Sequence, residues 1–314
     1  MKKKLIFLTL LLFIAYILFF PKDAVEAAAA GLVLWYDRVL PTLLPFAILS
    51  NLLITSGYVQ YLNRITSPLI RLILPVSGNG AFVVLTGFLF GFPMGSKNCA
   101  VLLEQKKIER AEAEILFAVT NNISPVFISS YILRQQLSLP HLTLISYAAL
   151  YLPPLLCGYF LLHRAGHFSD TKRSGTLHGS EMPASESKMN FKIIDAGIMN
   201  GFETLTRLGG YIMLFSMAAS AVNRLPLPVA ARTLLVGVTE ITNGIGLLPL
   251  SGLPLRTQYL LAMVFTAFGG LSGIAQTSSM TKGSGLSLKR YCALKLICTG
   301  ASALLAWGIT ILFL

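Results

Sequence analysis

The stretch FLFGFPMGSKNCAVLLEQKK, residues 88–107, begins like a membrane helix and then breaks its own pattern. An apolar run meets Gly91, Pro93 and Gly95, and then a charged residue, Lys97, and a run of helix formers. Glycine and proline interrupt helices, because glycine tolerates unusual backbone angles and proline lacks an amide hydrogen. The pattern predicts a hairpin turn within an apolar block, and this turn decides what kind of fold surrounds it.

The composition of the whole chain indicates that the turn lies in a membrane. Of the 314 residues, 54% are hydrophobic and 12% are charged, and the mean hydropathy is +0.70. Soluble domains carry roughly 25% charged residues, and the apolar residues here form blocks long enough to cross a bilayer. The sequence predicts an all-α polytopic membrane protein, an inverted structural repeat with re-entrant hairpins and broken transmembrane helices. The net charge of +12 is attributed to basic loops and not to nucleic-acid binding.

A hydrophilic stretch divides the apolar blocks into two corresponding groups. Residues 1–26 are predicted to be an N-terminal membrane anchor, which is favoured over a cleaved signal peptide. Residues 163–192 are predicted to be a hydrophilic cytoplasmic linker. The two remaining regions, 27–162 and 193–314, each contain an interrupted block, a broken helix and a plain span in the same order. These regions are predicted to be two repeats of one structure.

The basic loop residues suggest an orientation. If the N-terminus is cytoplasmic and each interrupted block enters and leaves on one side, most basic loop residues fall on the cytoplasmic side, among them Lys289, Arg290 and Lys295. Such a bias is typical of cytoplasmic loops. The two hairpins then enter the membrane from opposite faces. This arrangement is an inverted repeat, the architecture of many secondary transporters.

The interrupted block of the first half contains the first group of candidate substrate-binding residues. Non-helical backbone at membrane depth is tolerated only inside protein or beside a watery cavity. The candidates are Gly91, Pro93, Gly95, Ser96, Lys97 and Asn98. Ser96 is the predicted N-cap of a helix over 97–105, and the free amides at that helix start, beside Lys97, would form an anion site. A simple proline kink with Lys97 reaching towards the interface is the alternative.

The helix after each interrupted block is also broken, and its polar residues are further candidates. They lie at or near the break: Asn121, Asn122, Ser124 and Pro125 in the first half, and Ser272 and Gln276 in the second. Pro125 removes a backbone donor, and the amide and hydroxyl groups can bind a polar ligand. Helix packing through small and polar residues is the alternative interpretation.

The interrupted block of the second half contains the sharpest single candidate, Glu240. The candidates of this block are Thr239, Glu240, Thr242 and Asn243. An ionisable group inside a membrane block is costly and marks a functional site by default. Glu240 could bind a coupling cation, carry a proton or accept hydrogen bonds from the hydroxyl groups of a sugar. A salt bridge to Arg207 or Arg232 is the alternative.

At these residues the sequence resembles a known family. Residues 87–128 are similar to the nucleoside-recognition, or Gate, domain, and most to bacterial sporulation integral membrane proteins of the YlbJ/SpoVV type. The resemblance is carried by the turn at 91–95, the charged helix at 108–113 and the break at 121–125. The second half looks distantly like concentrative nucleoside transporters. In those, a Thr-Glu pair contacts the substrate, which would correspond to Thr239 and Glu240.

The resemblance implies transport of dipicolinate, a small dianion, from the mother cell towards the forespore. Two other functions stay open: transport of a nucleoside or another neutral solute, and a non-transporting membrane scaffold in sporulation. Lys97 at a helix start suits the anion, whereas Glu240 suits the neutral solute better. No Ser/His/Asp set, HExxH or Walker loop occurs in the sequence, so an enzyme is not predicted.

The expected partners follow from these interpretations. They are a small-molecule substrate and the lipid bilayer, with a coupling cation or proton and a second copy of the chain left open. The expected location is the cell membrane, and the outer forespore membrane if the resemblance extends to function. His163 and His167 in the linker are interpreted as solvated side chains, so no metal and no cofactor is predicted.

Overall fold

The described part of the chain is almost entirely helical. The computed structural model describes residues 2–166 and 191–314, and no strand occurs in these ranges. The helices are α1 (Lys2–Phe19), α2 (Pro21–Leu34), α3 (Leu40–Thr55), α4 (Val59–Arg71), α5 (Gly78–Phe90), α6 (Met94–Glu104), α7 (Arg110–Val119), α8 (Thr143–Arg164), α9 (Phe191–Asn223), α10 (Val229–Thr239), α11 (Ile241–Leu247), α12 (Leu255–Phe268), α13 (Gly270–Met280) and α14 (Leu288–Phe313). Two π-helical segments, Trp35–Val39 and Phe127–Gln136, and a short 3-10 turn, Pro140–Leu142, complete this set.

Several helices of the described ranges can cross a bilayer. Five are long and apolar enough: Pro21–Thr55, Pro140–Arg164, Phe191–Asn223, Leu255–Met280 and Leu288–Phe313. The predicted all-α polytopic membrane fold is confirmed. Most of the predicted linker, including His167, lies outside the described residues, whereas His163 stacks on Tyr159 near the end of α8.

The first interrupted block folds as a hairpin of α5 and α6, here called the first hairpin. Its turn is at Gly91, whose φ of +79° suits glycine. A Cβ added to Gly95 would lie 3.0 Å from the Cα of Gly87, so the two arms touch at backbone level. The predicted capping role of Ser96 is wrong. The helix begins at Met94, whose amide bonds the Gly91 carbonyl at 3.0 Å, and no side chain caps it.

The second interrupted block is a hairpin of the same design. This second hairpin consists of α10 and α11, and the chain reverses at Glu240, which has an extended backbone. A Cβ added to Gly244 would lie 2.1 Å from the Cα of Gly237. In each half of the chain, two helices therefore approach each other closely at a pair of glycines. Close backbone approach, rather than a kink in one helix, explains these glycines.

Each hairpin tip packs against a break in the helix that follows it. In the first broken helix, α7 and the segment Phe127–Gln136, the carbonyl of Asn122 accepts from the amide of Phe92 at 2.6 Å. The second broken helix, α12 and α13, breaks at Gly269 and Gly270, with φ of +82° and +70°. A Cβ on Gly270 would lie 3.4 Å from the carbonyl oxygen of Val238 in the second hairpin. The hairpin–break pair recurs in both halves.

Two buried carboxylates on α7 hold the ends of other helices. Glu112 Oε1 accepts from the amide of Ser77 at 2.7 Å, and Glu114 Oε1 accepts from the amide of Ser287 at 3.1 Å. These serines stand at the starts of α5 and α14, where helix amides lack partners. The second contact brings the loops 105–109 and 281–287 to one end of the bundle, as does the bond from Arg110 to the Gly285 carbonyl. That this end of the bundle faces the cytoplasm stays a prediction.

Lys295 does not lie in a loop, so its assignment to the basic cytoplasmic loops was wrong. Its side chain is only 4% exposed, and the residue lies within α14 rather than in a loop. This helix begins at Leu288 because Ser287 Oγ accepts from the amide of Arg290 at 3.3 Å and caps it. Lys295 is therefore about two turns inside the helix, at 3.6 residues per turn.

Candidate functional site

Both hairpin tips and both broken helices line one space, here called the central cavity, of about 500 Å³. These elements contribute Phe92, Ile123, Ser124, Val126, Phe127, Ser130, Tyr131, Glu240, Ile241, Thr242 and Gln276. The rest of the lining is mainly apolar and comes from α2, α3, the segment Trp35–Val39, the end of α5, and α9. The interruptions of the two halves thus meet around one cavity, and its walls are largely hydrophobic.

The candidate residues divide into two groups by position. Four of them line the central cavity: Ser124, Glu240, Thr242 and Gln276. The others do not: Gly91, Pro93, Gly95, Ser96, Lys97, Asn98, Asn121, Asn122, Pro125, Thr239, Asn243 and Ser272. Most residues in the second group are buried and support the hairpins and breaks. Ser272, for example, accepts a bond of 2.7 Å from the Gln276 amide, which orients a lining residue.

Glu240 stands at the tip of the second hairpin and caps α11. Its side chain is 3% exposed, and its Oε2 accepts from the amide of Asn243 at 2.9 Å and from the hydroxyl of Thr242. Capping of this kind satisfies amides that have no helical partner. Glu240 forms no ion pair with Arg207 or Arg232. Arg207 instead pairs with Glu203 at 2.5 Å.

Lys97 is directed towards other helices and not into the central cavity. Its Nζ donates to Asn200 Oδ1 and to Thr204 Oγ1, both at 2.6 Å. Asn51 Nδ2 donates to the same Asn200 oxygen at 2.9 Å. These contacts join the first hairpin to α3 and α9. Lys97 is therefore neither a surface lysine nor a lining residue, but part of a buried polar cluster between the two halves.

The first break is held by two tyrosines that are not among the predicted site residues. Tyr151 donates to the carbonyl of Ile123 at 2.7 Å, and Tyr147 donates to the carbonyl of Pro125 at 2.8 Å. Both tyrosines belong to α8, where they lie one turn apart. Unwound carbonyls inside a membrane need such donors. Two tyrosines at four-residue spacing in an apolar span were the available signal.

Arg38 and Asp37 were also missed as lining residues. They belong to the π-helical segment Trp35–Val39 between α2 and α3, and their exposed side chains line the central cavity. Arg38 forms no ion pair with any residue of the described ranges. The signal for them was an adjacent pair of opposite charges within an apolar block, because charged residues in such blocks mark functional positions.

The comparisons with known proteins agree with the motifs of the first half. Residues 37–135, from Asp37 to the end of the first broken helix, match the family described as Gate, nucleoside recognition. The chain is also 28% identical over 306 residues to the sporulation integral membrane protein YlbJ of Bacillus subtilis (strain 168), covering 88% of this chain and 75% of that protein. No solved structure matches the chain. The predicted resemblance is confirmed: residues 37–135 of this membrane protein match the nucleoside-recognition Gate family, and most of the chain is similar to a sporulation integral membrane protein.

Proposed function

We propose that this protein is a membrane transporter or facilitator for a small polar metabolite, and that the metabolite is dipicolinate during sporulation. The observation that carries the proposal is the central cavity, where the hairpin tips and broken helices of both halves meet. Paired interruptions of this kind mark the substrate sites of secondary transporters. A cavity of about 500 Å³ also falls within the usual range for small-molecule sites. The function requires no catalytic residue and no cofactor.

The lining of the central cavity suits a planar anion. Phe92, Phe127 and the stacked pair of Phe46 and Phe90, with ring centroids 3.9 Å apart, give it aromatic walls. Aromatic side chains favour the faces and edges of other rings. Arg38 has a guanidinium without an ionic partner in the described residues, and a guanidinium can bind a carboxylate through two parallel hydrogen bonds. These features support a ring that carries carboxylates.

The carboxylate of Glu240 opposes such an anion unless its charge is neutralised. Two unit charges about 4 Å apart interact by roughly 4 kcal/mol at an effective dielectric constant near 20. We therefore propose that Glu240 is protonated or bound to a cation when dipicolinate enters.

A neutral ring-bearing solute such as a nucleoside is the second candidate. The specific observation in its favour is that Glu240 and Gln276 line the same cavity. A carboxylate and an amide can accept hydrogen bonds from ribose hydroxyls and bind the edge of a base. In this case Glu240 would contact the substrate directly, and no neutralisation would be needed.

Uptake into liposomes tests the proposed function. Purified protein reconstituted into liposomes should take up radiolabelled dipicolinate in a saturable manner, whereas protein-free liposomes should not. Labelled uridine is measured in parallel. Uptake of uridine alone would support the second candidate. Uptake of neither compound by folded protein would contradict both transport functions and support a non-transporting scaffold in sporulation.

Replacing Glu240 with glutamine separates the two substrates. Glutamine keeps an oxygen that can cap α11 but removes the charge. For dipicolinate, we expect Glu240→Gln to retain binding within about threefold and to lose the dependence of binding on pH or on a cation. For a nucleoside, the loss of a charged acceptor should weaken binding roughly tenfold or more. Equilibrium binding across a pH series measures both outcomes, and an unchanged affinity with unchanged pH dependence would contradict both assignments.

We also propose a cytoplasmic N-terminus and a location in the outer forespore membrane. The basic loops support the orientation, because Lys and Arg are enriched on the cytoplasmic side. The Bacillus subtilis relative, which is named as a sporulation protein, supports the location. Dipicolinate would then move from the mother cell towards the forespore.

A further inference from the structure

Lys295 inserts an amine between the two broken helices. Its Nζ donates to Asn122 Oδ1 at 3.1 Å and to the main-chain carbonyl of Ala267 at 3.5 Å. Asn122 follows the end of α7, and Ala267 lies in the last turn of α12. These are corresponding parts of the two halves, so a single side chain of α14 connects the broken helix of one half to that of the other.

The segment that follows α7 and the C-terminal end of α12 both contact this amine. The last carbonyls of a helix lack helical partners and carry a partial negative charge. At the end of α12, the amide of Gly269 bonds the carbonyl of Phe265 at 2.8 Å. The carbonyl of Ala267, which lies beyond that bond, accepts from Lys295. In secondary transporters, unwound carbonyls and the C-terminal ends of half-helices coordinate sodium ions.

The surroundings of Lys295 resemble a cation site more than an ion pair. Lys295 forms no salt bridge with any carboxylate of the described residues. Its charge is matched by amide and carbonyl oxygens, which are the ligands that hard cations prefer. The neighbouring Asn121 Oδ1 is buried without a hydrogen-bond partner, so the first break has a further oxygen available. Burial of a lysine without an acidic partner inside a membrane costs free energy, so such a residue indicates a functional role.

We propose that Lys295 supplies, from within the chain, the monovalent cation that would otherwise bridge the two broken helices. The protein then needs no sodium ion at this position, and it gains a site for a small cation when the lysine side chain is removed. This inference goes beyond the proposed function, since it assigns the place of a coupling ion and holds for either substrate.

Thermal unfolding of the purified protein in detergent tests the proposal without any transport measurement. The wild-type protein is compared in sodium, potassium, methylammonium and choline chloride at equal ionic strength, and its unfolding midpoint should be the same in all four. In choline chloride, Lys295→Ala should lower the midpoint by about 5 °C or more, because two buried acceptors lose their donor. Sodium or methylammonium should recover at least half of this loss with a saturable dependence on concentration.

Cys298→Ala is the matched control. Cys298 lies one turn further along α14 and is also buried. Its truncation to alanine therefore removes volume from the core but does not remove a charged group. This variant should show no cation-specific recovery. Two results would overturn the proposal: a sodium-specific rise of the wild-type midpoint, or a folded Lys295→Ala protein with equal midpoints in all four salts.

A second variant covers the case in which Lys295→Ala yields no folded protein. Lys295→Gln keeps a hydrogen-bond donor of similar length but removes the charge. The proposal expects its midpoint to lie below that of the wild type, and a midpoint equal to the wild-type value would overturn it. Since none of these measurements depends on substrate, failure of the proposed transport function would leave the cation result intact, and the reverse also holds.

Discussion

Gly244→Ala should lower the unfolding midpoint of the protein by about 10 °C. A Cβ at this position would lie 2.1 Å from the Cα of Gly237 and 2.8 Å from its amide nitrogen. Backbone atoms cannot move aside as a side chain can, so α10 and α11 would have to separate. Overpacking in a core costs about 1–3 kcal/mol and sometimes more. We expect the upper end of this range, which corresponds to a fall of about 10 °C in the unfolding midpoint or to loss of the monodisperse peak in size-exclusion chromatography.

Gly246→Ala is the control within the same short helix. A Cβ there would have the hydroxyl of Tyr131 as its nearest neighbour, at an ordinary contact distance of 3.6 Å. Alanine also favours helix by up to about 1 kcal/mol over glycine, so this variant should be as stable as the wild type or slightly more so. Similar losses in both variants would mean that the second hairpin is not closed by backbone contact at Gly244.

The first hairpin extends the same argument to the other half of the chain. A Cβ on Gly87 would lie 2.4 Å from the carbonyl oxygen of Thr120, which is again backbone. Gly87→Ala should therefore resemble Gly244→Ala in its effect. If the two halves are repeats of one design, the two hairpins should be equally intolerant of a methyl group, even though their sequences are different.

The hairpins could be predicted from the sequence because glycines within an apolar block indicate a chain turn or a close backbone contact. A membrane helix gains nothing from Gly91 or Gly244 unless the chain turns or another backbone approaches closely. The start of α6 was wrong because the prediction relied on a serine cap, whereas the helix begins directly after Pro93. Pro93 stands at the N-cap position, where its missing amide costs no helical hydrogen bond, and its carbonyl accepts from the amide of Lys97 at 3.0 Å.

The contacts of Lys97 and Lys295 could not be predicted because they join distant parts of the chain. Lys97 bonds Asn200, and Lys295 bonds Asn122, across more than one hundred residues in each case. Charge bias counts lysines by their position relative to the apolar blocks, so it cannot distinguish a loop lysine from a buried one near a helix end. A buried lysine needs hydrogen-bond acceptors, but the packing of the two halves decides which side chain or carbonyl group accepts.

The cavity lining was predicted only where the chain is interrupted. Ser124, Glu240 and Gln276 lie at or near breaks, and breaks are visible as Gly, Pro and polar residues. Arg38 lies in a continuous helical stretch, where only a local π-helical turn separates α2 from α3. Such turns have no simple sequence signature, although they often occur at functional sites.

Arg38→Ala should weaken dipicolinate binding roughly tenfold to one hundredfold. Among the residues that line the central cavity, Arg38 is the basic one, and its exposed guanidinium has no ionic partner in the described ranges. A charge-assisted hydrogen bond contributes about 1.5–3 kcal/mol, and every 1.4 kcal/mol is about a factor of ten in affinity. Calorimetry with dipicolinate measures the loss, and Arg38→Lys should recover only part of it because lysine cannot form the paired contact.

Lys97→Ala is the comparison that distinguishes the two basic residues. Because Lys97 bonds Asn200 and Thr204 and does not line the cavity, its removal should lower the unfolding midpoint and leave the dipicolinate affinity of the folded protein within about twofold. A helix-start anion site at Lys97 requires the opposite pattern, with affinity lost and the midpoint kept. If affinity falls in Lys97→Ala and not in Arg38→Ala, the anion binds beside the first hairpin and outside the central cavity. The two variants together therefore locate the carboxylate, whichever residue holds it.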